Sequence, residues 1–277
     1  MNKTVLITGA SSGFGKSAAR LFASQGWNVV ATMRTPTAAT DLADLRNVLV
    51  TRLDVQDRES IDRAIDAGIE RFGKIDVLVN NAGFSLFGVF ESIPRAKIQE
   101  QFDVNLFGVM DVTRAVLPHF RRNKAGVIVN VGSGAGVFGL PMISLYNASK
   151  FALEGFSESL SYELLSQNIV VKIVEPGGVV TTEFGARMTS EASQILPAPK
   201  EYDGFIAGTL KVFDGLRAAR LATSEDVAQV ILDAASDGSD RLRYVATKDI
   251  EPLVKARRES SEDEYITMMR SRFLAKG

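Results

Sequence analysis

The sequence predicts a doubly wound α/β domain built on a seven-stranded parallel sheet. Two observations predict it. Short β-rich apolar runs alternate along the chain with segments of helical spacing. Several runs, such as Val77-Leu-Val79 and Val127-Ile-Val129, are apolar at successive positions, and Val170-Val-Lys-Ile-Val174 is broken only by Lys172. That pattern suits strands covered on both faces.

The elements follow in order. Strands are expected near 3–8, 27–33, 48–52, 75–80, 125–132, 169–175 and 242–246, and helices near 13–25, 57–72, 96–122, 144–166, 201–218 and 223–236. Thr223-Ser-Glu-Asp226 reads as a helix start, with hydroxyl caps and acids in the first turn. No linker or repeat divides the chain, so one domain is read over 1–277, with an insertion over 182–221 and a C-terminal extension over 247–277. The extension, rich in both charges, is expected to form a solvated helix or tail.

Composition bounds the chemistry. The 277 residues are 45% hydrophobic and 23% charged, with a formal net charge of −1. Nothing in that balance points to nucleic acid. The chain has no cysteine, which excludes disulfides, thiolate metal sites and cysteine nucleophiles. His119 is the only histidine, so a histidine-based triad or metal site would rest wholly on it; it reads as a helix-end residue, and no metal site is expected. The N-terminal apolar run is too short for a signal peptide core or a membrane span. A soluble cytoplasmic protein is expected.

Two local patterns carry chemistry. Lys3-Thr-Val-Leu-Ile-Thr8 is followed by Gly-Ala-Ser-Ser-Gly-Phe-Gly15 and then by helical spacing. A strand, a tight glycine turn and a helix N-terminus make an anion site, because glycine lets backbone approach a pyrophosphate and the first helical N–H groups point at it. Tyr146 and Lys150 stand four residues apart, on one face of a helix. A lysine ammonium there favours the phenolate and suits the tyrosine to acid/base work near neutral pH. Ser133, thirteen residues earlier, offers a hydroxyl for the substrate oxygen. On the same helix, Ala148, Ala152, Gly155 and Ser159 form a small-residue stripe opposite Tyr146, Lys150, Leu153 and Ser157.

Taken in order, Thr8-Gly-x-x-x-Gly-x-Gly15, Leu53-Asp54-Val55, Asn80-Asn-Ala-Gly83, Asn105, Ser133, Tyr146-x-x-x-Lys150 and Pro176-Gly177 with Thr181 resemble the short-chain dehydrogenase/reductase family, in its single-domain oxidoreductase subtype. The resemblance implies a Rossmann-type fold and hydride transfer between a nicotinamide and a carbonyl or carbinol carbon. It implies Tyr146 as general acid/base, Lys150 as its partner and a ribose ligand, Ser133 on the substrate oxygen, and Asn105 holding a proton-relay water. It places the cofactor against Gly9, Ser11, Ser12, Gly13, Phe14, Gly15, Arg34, Asp54, Val55, Asn81, Ala82, Gly83, Pro176, Gly177, Val179 and Thr181, besides Tyr146 and Lys150.

Relatives that use NAD place an acid at the end of strand 2 for the ribose 2′-hydroxyl. Here Met33 holds that position and Arg34 follows, a residue suited to a 2′-phosphate, so NADP(H) is expected over NAD(H). The resemblance also implies a homodimer or homotetramer paired through the helices near 96–122 and 144–166. Phe84-Ser-Leu-Phe87, Val137-Phe-Gly-Leu-Pro-Met142 and the insertion are expected to line the substrate pocket; they are rich in Phe, Leu and Met, which points to a small apolar ketone, aldehyde or secondary alcohol. Glu183–Lys200 reads as a lid. A catalytically silent NADP(H)-binding regulator is the alternative; intact Tyr146, Lys150, Ser133 and Asn105 weigh against it.

Overall fold

The computed structural model describes residues 2–38, 40–179, 191, 195–218 and 222–274. Thr181 and most of the expected lid lie outside the described residues.

Seven strands form one wholly parallel sheet: β1 (Thr4–Ile7), β2 (Asn28–Met33), β3 (Val48–Arg52), β4 (Val77–Asn80), β5 (Gly126–Val131), β6 (Ile169–Glu175) and β7 (Arg243–Val245). Their spatial order is β3-β2-β1-β4-β5-β6-β7. The chain therefore winds outward from β1 in one direction and restarts beside it at β4. Ligands of doubly wound sheets bind in the crevice at such a reversal. Among the described residues the α-helices are α1 (Gly13–Ser24), α2 (Thr40–Ala43), α3 (Arg58–Phe72), α4 (Arg95–Phe102), α5 (Gly108–Asn123), α6 (Ser144–Leu165), α7 (Asp203–Ala218), α8 (Ser224–Ser236), α9 (Glu251–Glu259) and α10 (Glu262–Phe273).

Both sheet faces are buried, which explains the apolar runs. In β1, Val5 and Ile7 face a core with Ala18 and Phe22 of α1 and Val227 and Ile231 of α8. Leu6 faces the other way, into a core with Ile61 of α3, Val112 and Val116 of α5, and Leu160 and Leu164 of α6. β4 repeats the split, with Val77 and Val79 on one side and Leu78 on the other.

Helix ends follow local chemistry. Thr223 caps α8 through a reciprocal capping box with Asp226, as its sequence predicts. Asp57 caps α3, and Gly73 ends it in the left-handed region at φ 82°. Two segments depart from the sequence reading. The single helix expected near 96–122 is interrupted by a π-helical turn over Asp103–Phe107. Gly108 is wedged there against Val55; a Cβ on it would lie 2.7 Å from Val55 Cβ. The C-terminal extension is not a solvated tail. Its helices α9 and α10 bury Leu253, Val254, Tyr265, Met269 and Phe273 against Val137 and Phe138. Burying one such side chain is worth about 1.5–3 kcal/mol. Two of the residues read as substrate-lining, Val137 and Phe138, are therefore floor for this extension.

Candidate active site

A cleft of about 510 Å³ runs along the carboxyl ends of the strands on both sides of the β1/β4 reversal. Its walls include Gly9, Ser11, Ser12, Gly13 and Phe14, then Arg34, Asp54 and Val55, then Asn81, Ala82 and Gly83, and at its far end Tyr146 and Lys150. Residues scattered over some 140 positions of the chain thus line one groove.

The glycine turn is built by crowding. Gly9 and Gly13 adopt φ of 69° and 53°, where a side chain is strained. A Cβ on Gly15 would lie 2.4 Å from both Gly9 O and Asn81 Nδ2. Asn81 itself holds the turn: its Nδ2 donates to Thr8 O at 2.9 Å and Gly9 O at 3.1 Å. Thr8 Oγ1 accepts from the Asn81 and Ala82 N–H groups at 2.9 and 3.1 Å. The two motifs are thus halves of one scaffold. Helix α1 begins at this turn with Ser12 as N-cap, and no side chain caps it. Its first turn carries no acid. The N-terminal N–H groups and their partial positive charge therefore face the cleft, which fits a pyrophosphate.

Arg34 is exposed at the end of β2, beside the buried Met33, and no acid of β2 shares the position. Asp54 Oδ1 accepts from Gln56 N–H at 3.1 Å. Gln56 also lines the cleft, though nothing in the sequence singled it out.

At the far end, α6 turns one face wholly inward: Tyr146, Lys150, Leu153 and Ser157 are all buried. Ala148, Gly155 and Ser159 face out, as the spacing predicts. The Tyr146 and Ser133 hydroxyls hydrogen-bond to each other. Ser133 Oγ also accepts from Ala135 N–H at 3.1 Å, which fixes its rotamer. Lys150 Nζ donates to Val131 O at 2.8 Å and lies 5.8 Å from the centre of the Tyr146 ring.

The electrostatics differ from the sequence reading, which has Lys150 lowering the tyrosine. Burial dominates both groups in the free protein. It pushes Tyr146 up to about 12, opposed by the Ser133 hydrogen bond. It pulls Lys150 down to about 8, opposed by the Glu154 carboxylate.

Asn105 sits in the π-turn, fully buried. π-Turns inside helices often mark functional sites. Its side chain accepts from Phe84 N–H at 3.0 Å and donates to Phe84 O at 2.9 Å and Ser149 Oγ at 3.2 Å. It braces the loop after β4 against α6, and both amide hydrogens are used in doing so. Asn147 plays a similar part that the sequence did not reveal: its Nδ2 donates to Ala135 O and Phe138 O, clamping the loop that carries Ser133.

Pro176, Gly177 and Val179 follow β6 and do not line the described cleft. They are held from behind: Thr247 Oγ1 accepts from Gly177 N–H at 2.8 Å and Asp249 Oδ2 from Gly178 N–H at 3.2 Å. His119 is a core residue whose Nε2 accepts from Ile75 N–H at 3.0 Å. Among the described residues no group of three or more His, Cys, Asp or Glu could hold a metal ion, and no helix is long and apolar enough to cross a membrane.

A family model described as short chain dehydrogenase matches residues 3–192. The chain belongs to the short-chain dehydrogenase family. This dehydrogenase is 41% identical over 215 residues to an uncharacterized oxidoreductase of Schizosaccharomyces pombe, covering 76% of this chain and 87% of that one. It is 37% identical over 282 residues to retinol dehydrogenase 8 of Homo sapiens, covering 95% and 88%. A solved short-chain dehydrogenase/reductase from Burkholderia phymatum, in complex with NAD, superposes with a TM-score of 0.80 at 26% identity and covers 100% of the dehydrogenase and 98% of its own chain. The dehydrogenase is thus an oxidoreductase of a family that acts on CH–OH groups with a nicotinamide cofactor, on a Rossmann-type fold.

Proposed function

We propose that this dehydrogenase is an NADP-dependent enzyme that transfers hydride between the nicotinamide and an apolar ketone, aldehyde or secondary alcohol, with Tyr146 as general acid/base. The observation that carries the reading is the hydrogen-bonded Tyr146–Ser133 pair beside Lys150 at one end of a groove whose other end is a glycine turn with an uncapped helix.

The bound nicotinamide would supply or accept the hydride. The chain's own residues handle the oxygen and its proton. In reduction, the Ser133 hydroxyl donates a hydrogen bond to the carbonyl oxygen and polarises it. The Tyr146 hydroxyl gives its proton to that oxygen as the carbon receives hydride. The phenolate left behind is stabilised by the Lys150 ammonium. Oxidation runs these steps in reverse, with the phenolate taking the carbinol proton. The raised Tyr146 supports the acid role, because its hydroxyl keeps its proton throughout the neutral range.

Arg34 supports NADP(H). An arginine at the end of β2 can pair with a 2′-phosphate in bidentate fashion. Phe84 and Leu86, buried with Ile93, Leu145 and Ile195, support an apolar substrate. The reading includes a cytoplasmic homodimer or homotetramer paired through α4–α5 and α6. Phe107, Phe151, Tyr162 and Leu165 support that part, since they are exposed on these segments.

The test is oxidation of NADPH and NADH, followed at ~340 nm, against a panel of apolar ketones and aldehydes. Tyr146→Phe should cut turnover by roughly 100- to 10,000-fold and leave NADPH affinity nearly intact. Substantial residual turnover in that variant rules out Tyr146 as proton donor. Arg34→Ala should weaken NADPH binding by about 10- to 100-fold, and NADH binding far less. Equal losses for the two remove the 2′-phosphate argument. Tight NADPH binding with no turnover across the panel would favour the regulator.

A further inference from the structure

Behind Lys150 lies a line of charges that the proposed reaction does not use. Glu154 follows Lys150 by one turn on the buried face of α6 and is 8% exposed. Its Oε2 accepts from Arg243 Nε at 2.9 Å, while Oε1 has no hydrogen-bond partner. A Cβ on Gly132 would lie 3.3 Å from that Oε1, and one on Gly136 would lie 3.1 Å from Glu154 Cγ. The side chain therefore sits directly beneath the loop that carries Ser133. Arg243, from β7, also binds Glu158 of α6, and its Nε lies 3.8 Å from Glu175 Oε1. Glu175 ends β6, is fully buried, and accepts from Arg258 of α9. From Lys150 outward, the charges alternate: Lys150, Glu154, Arg243, Glu175, Arg258. Glu158 stands to one side.

We propose that Glu154 is a positioning residue that keeps Lys150 in its ammonium form, and that Arg258 of the C-terminal extension sustains it by neutralising Glu175. The proposal rests on the role of Lys150 given above. Arg258 lies outside the cleft, yet it hydrogen-bonds the buried acid next to Glu154 and supplies most of its counter-charge, since Arg243 stands 3.8 Å away. A carboxylate beside a bare carboxylate takes up a proton more readily. An uncharged Glu154 cannot hold a positive lysine.

The protonation balance agrees. Burial first, and then the Glu175 carboxylate, push Glu154 up to about 7, while Arg243 and Arg258 oppose the rise. Lys150 is pulled down to about 8 by burial, and the Glu154 carboxylate opposes that fall. Above about 7 Glu154 is ionised and extends the range over which Lys150 keeps its proton. Without that carboxylate, Lys150 loses its charge at lower pH.

The test is titration of the full-length, cofactor-free protein by NMR with [13Cε]-lysine, the Lys150 resonance being assigned with Lys150→Arg. Glu154→Gln should lower the Lys150 midpoint by about one unit. Arg258→Met should lower it by less, and should add nothing on the Glu154→Gln background, because it acts through Glu154. The alkaline fall of kcat/KM for carbonyl reduction should move down with the midpoint. A Lys150 midpoint unchanged in Glu154→Gln, with only a lower melting temperature, overturns the proposal and leaves Glu154 a packing group. If Glu154→Gln fails to fold, Arg258→Met decides, and an unmoved midpoint there overturns it. Turnover that survives Tyr146→Phe would sink the proposed function instead, and the NMR midpoint reads Lys150 whether or not the enzyme turns over.

Discussion

Burial moves the two proton-handling groups in opposite directions, Tyr146 up to about 12 and Lys150 down to about 8. A lysine whose folded-state value is depressed loses its charge as pH rises through that value. Carbonyl reduction should therefore hold a plateau in the neutral range and fall about tenfold per unit above a pH near 8, read as kcat/KM against pH. A profile flat to high pH would remove Lys150 from the proton path. That Tyr146 and Lys150 share one helix face was legible because a helix fixes the meaning of a four-residue spacing. Their environment was not. Asn147, Glu154, Thr247 and Asp249 gain their roles from partners brought close by the fold, and no local spacing announces them.

The glycine turn shows what one element can encode. Gly15 meets backbone on one side and the Asn81 amide on the other, so a methyl group has nowhere to go. Gly15→Ala should destabilise the protein by about 1–3 kcal/mol and abolish tight NADPH binding. Thermal melting and a fluorescence titration check both, and retained affinity would show that this turn does not hold the cofactor. Strand and helix positions were readable from period and punctuation, as was the Thr223 cap. The π-turn at Asn105 was not; it adjoins the close fit of Gly108 to Val55, fifty-odd residues earlier, which no local spacing announces. The C-terminal helices were misread for a different reason. Each offers only two or three apolar anchors among many charges, and their floor at Val137 and Phe138 belongs to another segment.

At the scale of the whole molecule, the parallel sheet followed from the alternation of strands and helices, since parallel strands need crossovers; the order of its strands came from the structure. The substrate side was less legible: two residues expected to line it pack against the extension, and most of the lid lies outside the described residues. Assembly can be tested directly. Phe151→Glu places a charge on the outer face of α6, where Phe151 is 43% exposed. Sedimentation should show an oligomer for the wild type and a monomer for this variant; a monomeric wild type would refute the assembly. The line of charges has one more consequence, for synthesis on the ribosome. Glu154 and Glu175 emerge long before Arg243 and Arg258. Until those arginines arrive, closing the sheet edge would bury Glu175 without its arginine partners and leave Glu154 with Lys150 alone, which is costly. The growing chain therefore has an electrostatic reason to leave its far edge open until its last helices are made.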